Sequence, residues 1–226
     1  PSKIDKVEVY YNAPAKLRAR GAVVNIRLKH GGDDATPLQG ELGGIWSQSH
    51  EPTFDEHGTL LLNSKKFALD LFYQHVDQKN YTTSGFDSHH LLNDGTTHHI
   101  ASLMQNRYKG YSHNVRLGMD YNFSKNHLLS LVYQLTNTSG SSQQTTTGNI
   151  TSLSDFKKHK WLHNLRLDYI APFGLKAGAE LTYYHNPSHE NFQSTIPTGA
   201  MQVAVDNEQR VNRWRFYLAK EHQLKD

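Results

Sequence analysis

Val115, Leu117, Met119 and Tyr121 alternate with Asn114, Arg116, Gly118 and Asp120, so an extended chain puts the apolar side chains on one face and the polar or small ones on the other. Residues 127 to 136 repeat the pattern, with Leu129, Leu131, Tyr133 and Leu135 set against Ser130, Val132, Gln134 and Thr136. The polar stretch Asn122 to Asn126 between them predicts a hairpin turn. Pairing Asp120 with Leu128 sets Leu117 opposite Leu131 and Val115 opposite Tyr133, which keeps both apolar rows on one face.

A second hairpin is predicted around the turn Ala171-Pro172-Phe173-Gly174. Trp161, Leu165, Leu167 and Tyr169 lie on its apolar face, and Asn164, Arg166 and Asp168 on the other. Its return strand carries Leu175, Ala177, Ala179, Leu181 and Tyr183 against Lys176, Gly178, Glu180, Thr182 and Tyr184. Phe67, Leu69, Leu71 and Tyr73 alternate with Ala68, Asp70, Phe72 and Gln74, after a short strand Thr59 to Leu62 and a turn at Asn63-Ser64-Lys65. Leu38, Leu42 and Trp46 mark a first strand; Trp214, Phe216 and Leu218, against Arg213, Arg215 and Tyr217, mark a last one. The reading predicts about eight strands.

The connections between these segments alternate in length. Short turns fall near 63–65, 122–126, 171–174 and 222–226, and long polar loops are expected near 48–57, 77–98, 138–158 and 186–208. Short turns on one side and long loops on the other are the pattern of a bacterial outer-membrane barrel. Tyr121 and Tyr169 sit beside short turns, while Trp46, Tyr73, Tyr133, Trp161 and Tyr183 lie toward the long connections, as two interfacial aromatic girdles would. The polar partners Asp70, Arg116, Asp120, Arg166, Asp168, Glu180, Arg213 and Arg215 would then face a watery lumen.

Composition narrows the class without deciding it. Only 36% of the residues are hydrophobic and the mean hydropathy is −0.69, yet 11% are aromatic and 12 are Tyr, too many for a disordered polar chain. No run approaches the roughly 18 apolar residues of a transmembrane helix, whereas a barrel strand needs only every second residue to be apolar. The net charge of +3 comes from 24 basic and 21 acidic residues dispersed along the chain, so no nucleic-acid patch is expected. Cys is absent. No nucleophile accompanied by a base and an orienting group can be assembled and there is no phosphate-binding glycine loop, so neither an enzyme nor a cofactor is expected. The Ser, Thr, Gln and Gly of Thr138 to Ser154 read as a surface loop.

Fifteen His residues raise metal binding, with His89-His90 and His98-His99 as the candidates. Adjacent His residues on an extended chain point to opposite sides, and no Cys or regular carboxylate spacing accompanies them, so no metal site is expected.

The first thirty residues form a separate unit. Two short apolar runs, Ile4 to Tyr11 and Gly21 to Leu28, flank Asn12-Ala13-Pro14-Ala15. Ile4, Val7 and Val9, then Pro14, then Gly21 and the phrase Val24-Asn25-Ile26, resemble in order and spacing the end of the plug of a TonB-dependent receptor. Ala22-Val23 departs from the paired glycines usual there, and Leu17-Arg18 from the usual Tyr-Gly. The phrases Leu117-Gly118-Met119-Asp120-Tyr121 and Leu167-Asp168-Tyr169 resemble the outer-membrane β-barrel family common in Bacteroidetes.

These resemblances imply an all-β chain: a transmembrane antiparallel β-barrel, present here as about eight strands of a larger barrel, preceded by the C-terminal strands of a plug domain. The implied divisions are residues 1–31 for the plug, 32–36 for a linker and 37–226 for the barrel. With no Met or signal-type segment at Pro1 and no closing element at Lys225-Asp226, the chain is expected to be a piece of a longer protein. The implied setting is the outer membrane of a Gram-negative bacterium. The implied partners are outer-membrane lipid, TonB through a segment upstream of Pro1, a surface lipoprotein and an unidentified extracellular ligand. Uptake of a nutrient is the implied activity. A plugged barrel serving as a structural, adhesive or secretion-associated scaffold, and a soluble β-sandwich, are the alternatives.

Overall fold

In the computed structural model of the chain, the described residues are 4–10, 23–28, 38–124, 126–196 and 199–220. They are all-β, forming a two-stranded ribbon and one antiparallel sheet. The ribbon pairs β1 (Ile4–Tyr10) with β2 (Val23–Leu28), setting Val7 opposite Ile26, Glu8 opposite Asn25 and Val9 opposite Val24. Val7, Val9 and Val24 are each half or more exposed, and such a ribbon is at best marginally stable alone in water. Pro14 and Gly21, the linker at 32–36 and the turn expected at 222–226 lie outside the described residues.

The large sheet is a meander of eight strands: β3 (Leu38–Gln48), β4 (Pro52–Asn63), β5 (Phe67–Leu91), β6 (Thr97–Ser124), β7 (His127–Gly148), β8 (Thr151–Ile170), β9 (Leu175–Ile196) and β10 (Gly199–Lys220). Each strand pairs with its neighbours in sequence, and the sheet is not closed, so β3 and β10 are its edges.

The turns on one side are set by local chemistry. At the β8–β9 turn the Gly174 amide donates to the Ala171 carbonyl at 3.1 Å, and the Ala171 amide donates to the Leu175 carbonyl at 2.8 Å. Gly174 has φ of 79°, a conformation that disfavours any residue with a Cβ. At the β4–β5 turn the Ser64 amide donates to the Phe67 carbonyl at 2.7 Å, while the Phe67 amide donates back to the Ser64 hydroxyl at 3.1 Å. The β6–β7 connection is tighter than expected, because β6 runs on to Ser124 with an irregularity between Asn122 and Ser124.

The other side corrects the sequence reading. The long polar loops expected at 48–57, 77–98, 138–158 and 186–208 are for the most part strand, and the strand expected at Thr59 to Leu62 begins at Pro52. A ladder is made by the backbone, and once neither face has to be buried, the polar Thr, Ser, Gln and Asn of these stretches extend it as well as apolar residues would. The β5–β6 hairpin continues from Asp77 to Leu91 in register with Thr97 to Tyr111, a projection of roughly 50 Å at strand rise. The ladder is interrupted between β8 and β9 at positions 159 and 160, where Pro187, which has no amide to donate, sits on β9 opposite His159.

The β6–β7 register is also corrected. Asp120 faces Ser130, Leu117 faces Tyr133 and Val115 faces Leu135. The offset from expectation is two residues, which preserves the face of every side chain.

Candidate membrane-facing surface

Following the register across the sheet gives rows of side chains on a shared face. One row runs Leu38, Leu62, Leu69, Met119, Leu131, Leu167, Ala179 and Phe216, apolar on all eight strands. The next, one pleat further from the short turns, runs Gly40, Leu60, Leu71, Leu117, Tyr133, Leu165, Leu181 and Trp214. Nearer the turns lie Phe67, Tyr121, Leu129, Tyr169, Ala177 and Leu218. On the far side come Leu42, Gly58, Tyr73, Val115, Leu135, His163 and Tyr183.

Nothing among the described residues covers this face. Ala171 is their one buried apolar side chain and no large side chain is fully buried, while Leu42 is 91% exposed and Phe216 71%. A face of this extent exceeds what a monomeric soluble protein leaves to water.

The opposite face is polar and internally paired. Asp70, Gly118, Val132, Arg166, Glu180 and Arg215 form one of its rows. Across it Arg116 meets Asp70 at 3.3 Å, Arg166 meets Asp168 at 2.5 Å and Arg215 meets Glu180 at 3.2 Å. Arg213 donates to the Thr182 hydroxyl at 3.3 Å. Asp120 lies on the same face opposite Ser130, and Ser130 also faces Asp168, whose Oδ1 is buried without a hydrogen-bond partner. The eight charged residues picked out by alternation thus share one face. The ion pairs are largely wet, so each adds at most about 1 kcal/mol.

Rings close the apolar face at both ends. Near the short turns, His127 stacks on Phe123 at 4.4 Å and shares a hydrogen bond of 2.8 Å with the Tyr169 hydroxyl, and Tyr121 packs edge-on against Phe123 at 4.7 Å. At the other end the Tyr73 hydroxyl bonds His113 Nδ1 at 2.9 Å and the Tyr133 hydroxyl bonds His163 Nδ1 at 2.8 Å. Trp161 stacks between His159 and His163, His163 approaches Tyr183, and Tyr183 approaches His185. Trp46 stands 63% exposed on the edge strand, opposite Phe54.

The aromatic residues expected as girdles therefore lie on the apolar face, but the expectation missed the imidazoles interleaved with them. The signal was present as His two residues beyond an aromatic in Tyr73-Gln74-His75, Tyr111-Ser112-His113, Trp161-Leu162-His163 and Tyr183-Tyr184-His185. From His113 to Phe123 the band takes 11 residues of β6, against about 9–11 for a tilted strand crossing a bilayer.

No protein-family model and no curated protein matches this chain. What the surface can do therefore rests on its own geometry.

Beyond the ring row, charged side chains tie the hairpins together. Glu51, at the β3–β4 turn, accepts from the Arg107 guanidinium of β6 and meets Lys109 Nζ at 3.2 Å. The Arg107 hydrogen bond, with Lys109 adding to it, holds the Glu51 carboxyl below its ordinary value. A depressed carboxyl contributes stability above its ordinary value and loses it as pH falls through the depressed one. Acidification below about 4.3 should therefore release the β3–β4 tip while the apolar band stays intact. Hydrogen exchange at residues 47–53 should speed up over that pH window relative to residues 113–121, once corrected for intrinsic rates. An unchanged ratio would show that the pair does not hold the tip.

The four His candidates are sorted by the pleat. His89 faces His99 and His90 faces His98 across β5 and β6, one pair on each side of the hairpin. The carboxylate that sequence spacing did not reveal is Asp87, on the same side as His89 and His99.

Proposed function

We propose that this chain is part of an outer-membrane β-barrel of the TonB-dependent receptor type, with β3 to β10 crossing the bilayer and β1–β2 closing a plug. The observation that carries the membrane reading is the uncovered apolar face, whose rows run across all eight strands between two belts of rings. Lipid tails satisfy such a face, and Tyr, Trp and His suit the two levels where hydrocarbon meets headgroup. A β-sandwich would cover it with a second sheet, whereas the described strands form one layer apart from the small ribbon.

On this reading the edges β3 and β10 pair with further strands, because open backbone groups in hydrocarbon cost several kcal/mol each. The polar face then lines a lumen, where Arg116, Arg166, Arg213 and Arg215 meet a plug through water-screened contacts. The extended hairpins project outside the cell and meet the ligand and any partner lipoprotein. The receptor half rests on Val24-Asn25-Ile26 and the antiparallel ribbon it forms with Val7 and Val9.

The test is fractionation of the expressed chain. It should enter the membrane or aggregate, and dissolve as folded β-structure only in detergent. A soluble, monomeric, cooperatively unfolding product in plain buffer would refute the membrane reading. For the receptor half, deletion of the gene should abolish energy-dependent uptake of at least one nutrient; uptake unchanged across candidate nutrients would leave a scaffold in its place.

A further inference from the structure

We infer that Asp87, His89 and His99, on the projecting part of the β5–β6 hairpin, form a binding site for a divalent transition-metal ion. The site goes beyond the membrane reading and is independent of it, since it needs only the hairpin.

The register does the assembly. His89 and His99 are direct cross-strand partners, with ring centroids 4.4 Å apart and planes within 14° of each other. Asp87 lies two residues before His89, on the same side of the pleat. Its Oδ1 is 2.7 Å from His99 Nε2 and 3.8 Å from His89 Nε2, and one donor atom from each residue lies within 4.8 Å of the others. Tetrahedral donors around an ion at about 2.0–2.1 Å stand roughly 3.3 Å apart, so small side-chain rotations bring all three onto one ion.

The donor set selects the ion. Two imidazoles and one carboxylate suit Zn²⁺, Ni²⁺, Cu²⁺ or Co²⁺, whereas Ca²⁺ and Mg²⁺ prefer all-oxygen shells. All three residues are exposed, so an ion held there keeps an open coordination position facing solvent. The hairpin end is braced separately. Asp94 accepts from the Thr96 hydroxyl at 2.6 Å and amide at 2.9 Å, the Leu92 amide donates to the Thr96 carbonyl at 2.8 Å, and Gly95 takes φ of 82°. Asp94 is thus committed to the turn, and its carboxyl is held below its ordinary value first by the Thr96 hydroxyl and then by the Thr96 amide.

With 15 His residues in the chain, bulk metal uptake proves nothing, and the test must compare faces. Zn²⁺ is titrated calorimetrically into the whole chain in detergent and into His89→Ala, His99→Ala and Asp87→Asn. His90→Ala and His98→Ala, on the opposite side of the same hairpin, serve as controls. Loss of mere outer-shell partners costs metal sites about 10–100-fold, so each ligand variant should bind at least about tenfold more weakly, and each control within twofold. Bound Cu²⁺ should show coupling to two imidazole nitrogens, reduced to one in either His89→Ala or His99→Ala. Equal affinity in ligand variants and controls would overturn the site. Asp87→Asn keeps its shape, and circular dichroism checks that the hairpin survives in every variant.

Discussion

With the apolar rows facing lipid as proposed, arginine in place of Leu117 should destabilise the protein by about 2–4 kcal/mol, the penalty for a cation on the lipid face of a barrel near the bilayer midplane. Leu117 stands between Leu71 and Tyr133 in the middle of the apolar rows, with apolar residues on both sides along its own strand. A guanidinium there has no partner within the row and must reach toward a ring belt to find water. The matching substitution on the other face behaves differently. Ser130 lies between Asp120 and Asp168, and the Asp168 Oδ1 lacks a hydrogen-bond donor. Ser130→Arg adds a cation between two carboxylates and should stay within about 0.5 kcal/mol of the parent. Urea unfolding from lipid vesicles, with m-values checked for constancy, measures both. Equal costs, or a larger cost at Ser130, would mean that the apolar rows do not face lipid.

That contrast was visible in the sequence because the apolar band obeys a rule that composition cannot hide. A sheet with one apolar and one polar face forces strict alternation, so Val115 to Tyr121 and Leu129 to Leu135 announce their faces residue by residue. Beyond the ring row the rule lapses. Thr145, Thr146 and Thr147, or Gln78 to Ser84, meet water on both sides, and a polar ladder then has the composition of a loop. Strand ends were therefore misplaced by many residues while strand faces were assigned consistently. The same distinction explains the two-residue register error: hydrophobic matching fixes parity, and the length of the turn after Asn122 fixes the rest. The His residues were hardest to read. His113 and His163 gain their meaning from Tyr73 and Tyr133 on neighbouring strands, and Asp87 joins His99 only through the β5–β6 pairing, so neither grouping has a linear signature.

Gly140→Val should change sign according to what stands at position 108. Gly110 and Gly140 face each other on β6 and β7, and the Tyr108 ring lies over both on the polar face, with the Lys158 ammonium 5.8 Å from the ring centre. A Cβ on Gly140 would come within 2.6 Å of the Tyr108 hydroxyl and 3.0 Å of its ring. Tyr108 must then swing away, losing its cover over the glycine pair and its contact with Lys158, at an overpacking cost of about 1–3 kcal/mol. Valine also favours the strand, and glycine within a strand costs roughly 0.5–1 kcal/mol against a residue with a side chain. With Tyr108 in place the clash wins and the protein loses about 1 kcal/mol or more. In a Tyr108→Ala background the clash is gone, and Gly140→Val should stabilise by about 0.5–1 kcal/mol. The coupling between the positions should fall within the 0.5–3 kcal/mol typical of residues in contact, read by a double-mutant cycle from urea unfolding in detergent. A coupling near zero would mean that Tyr108 points away from the glycine pair, and the polar face of the projecting hairpins would then lack the ring that shields its backbone.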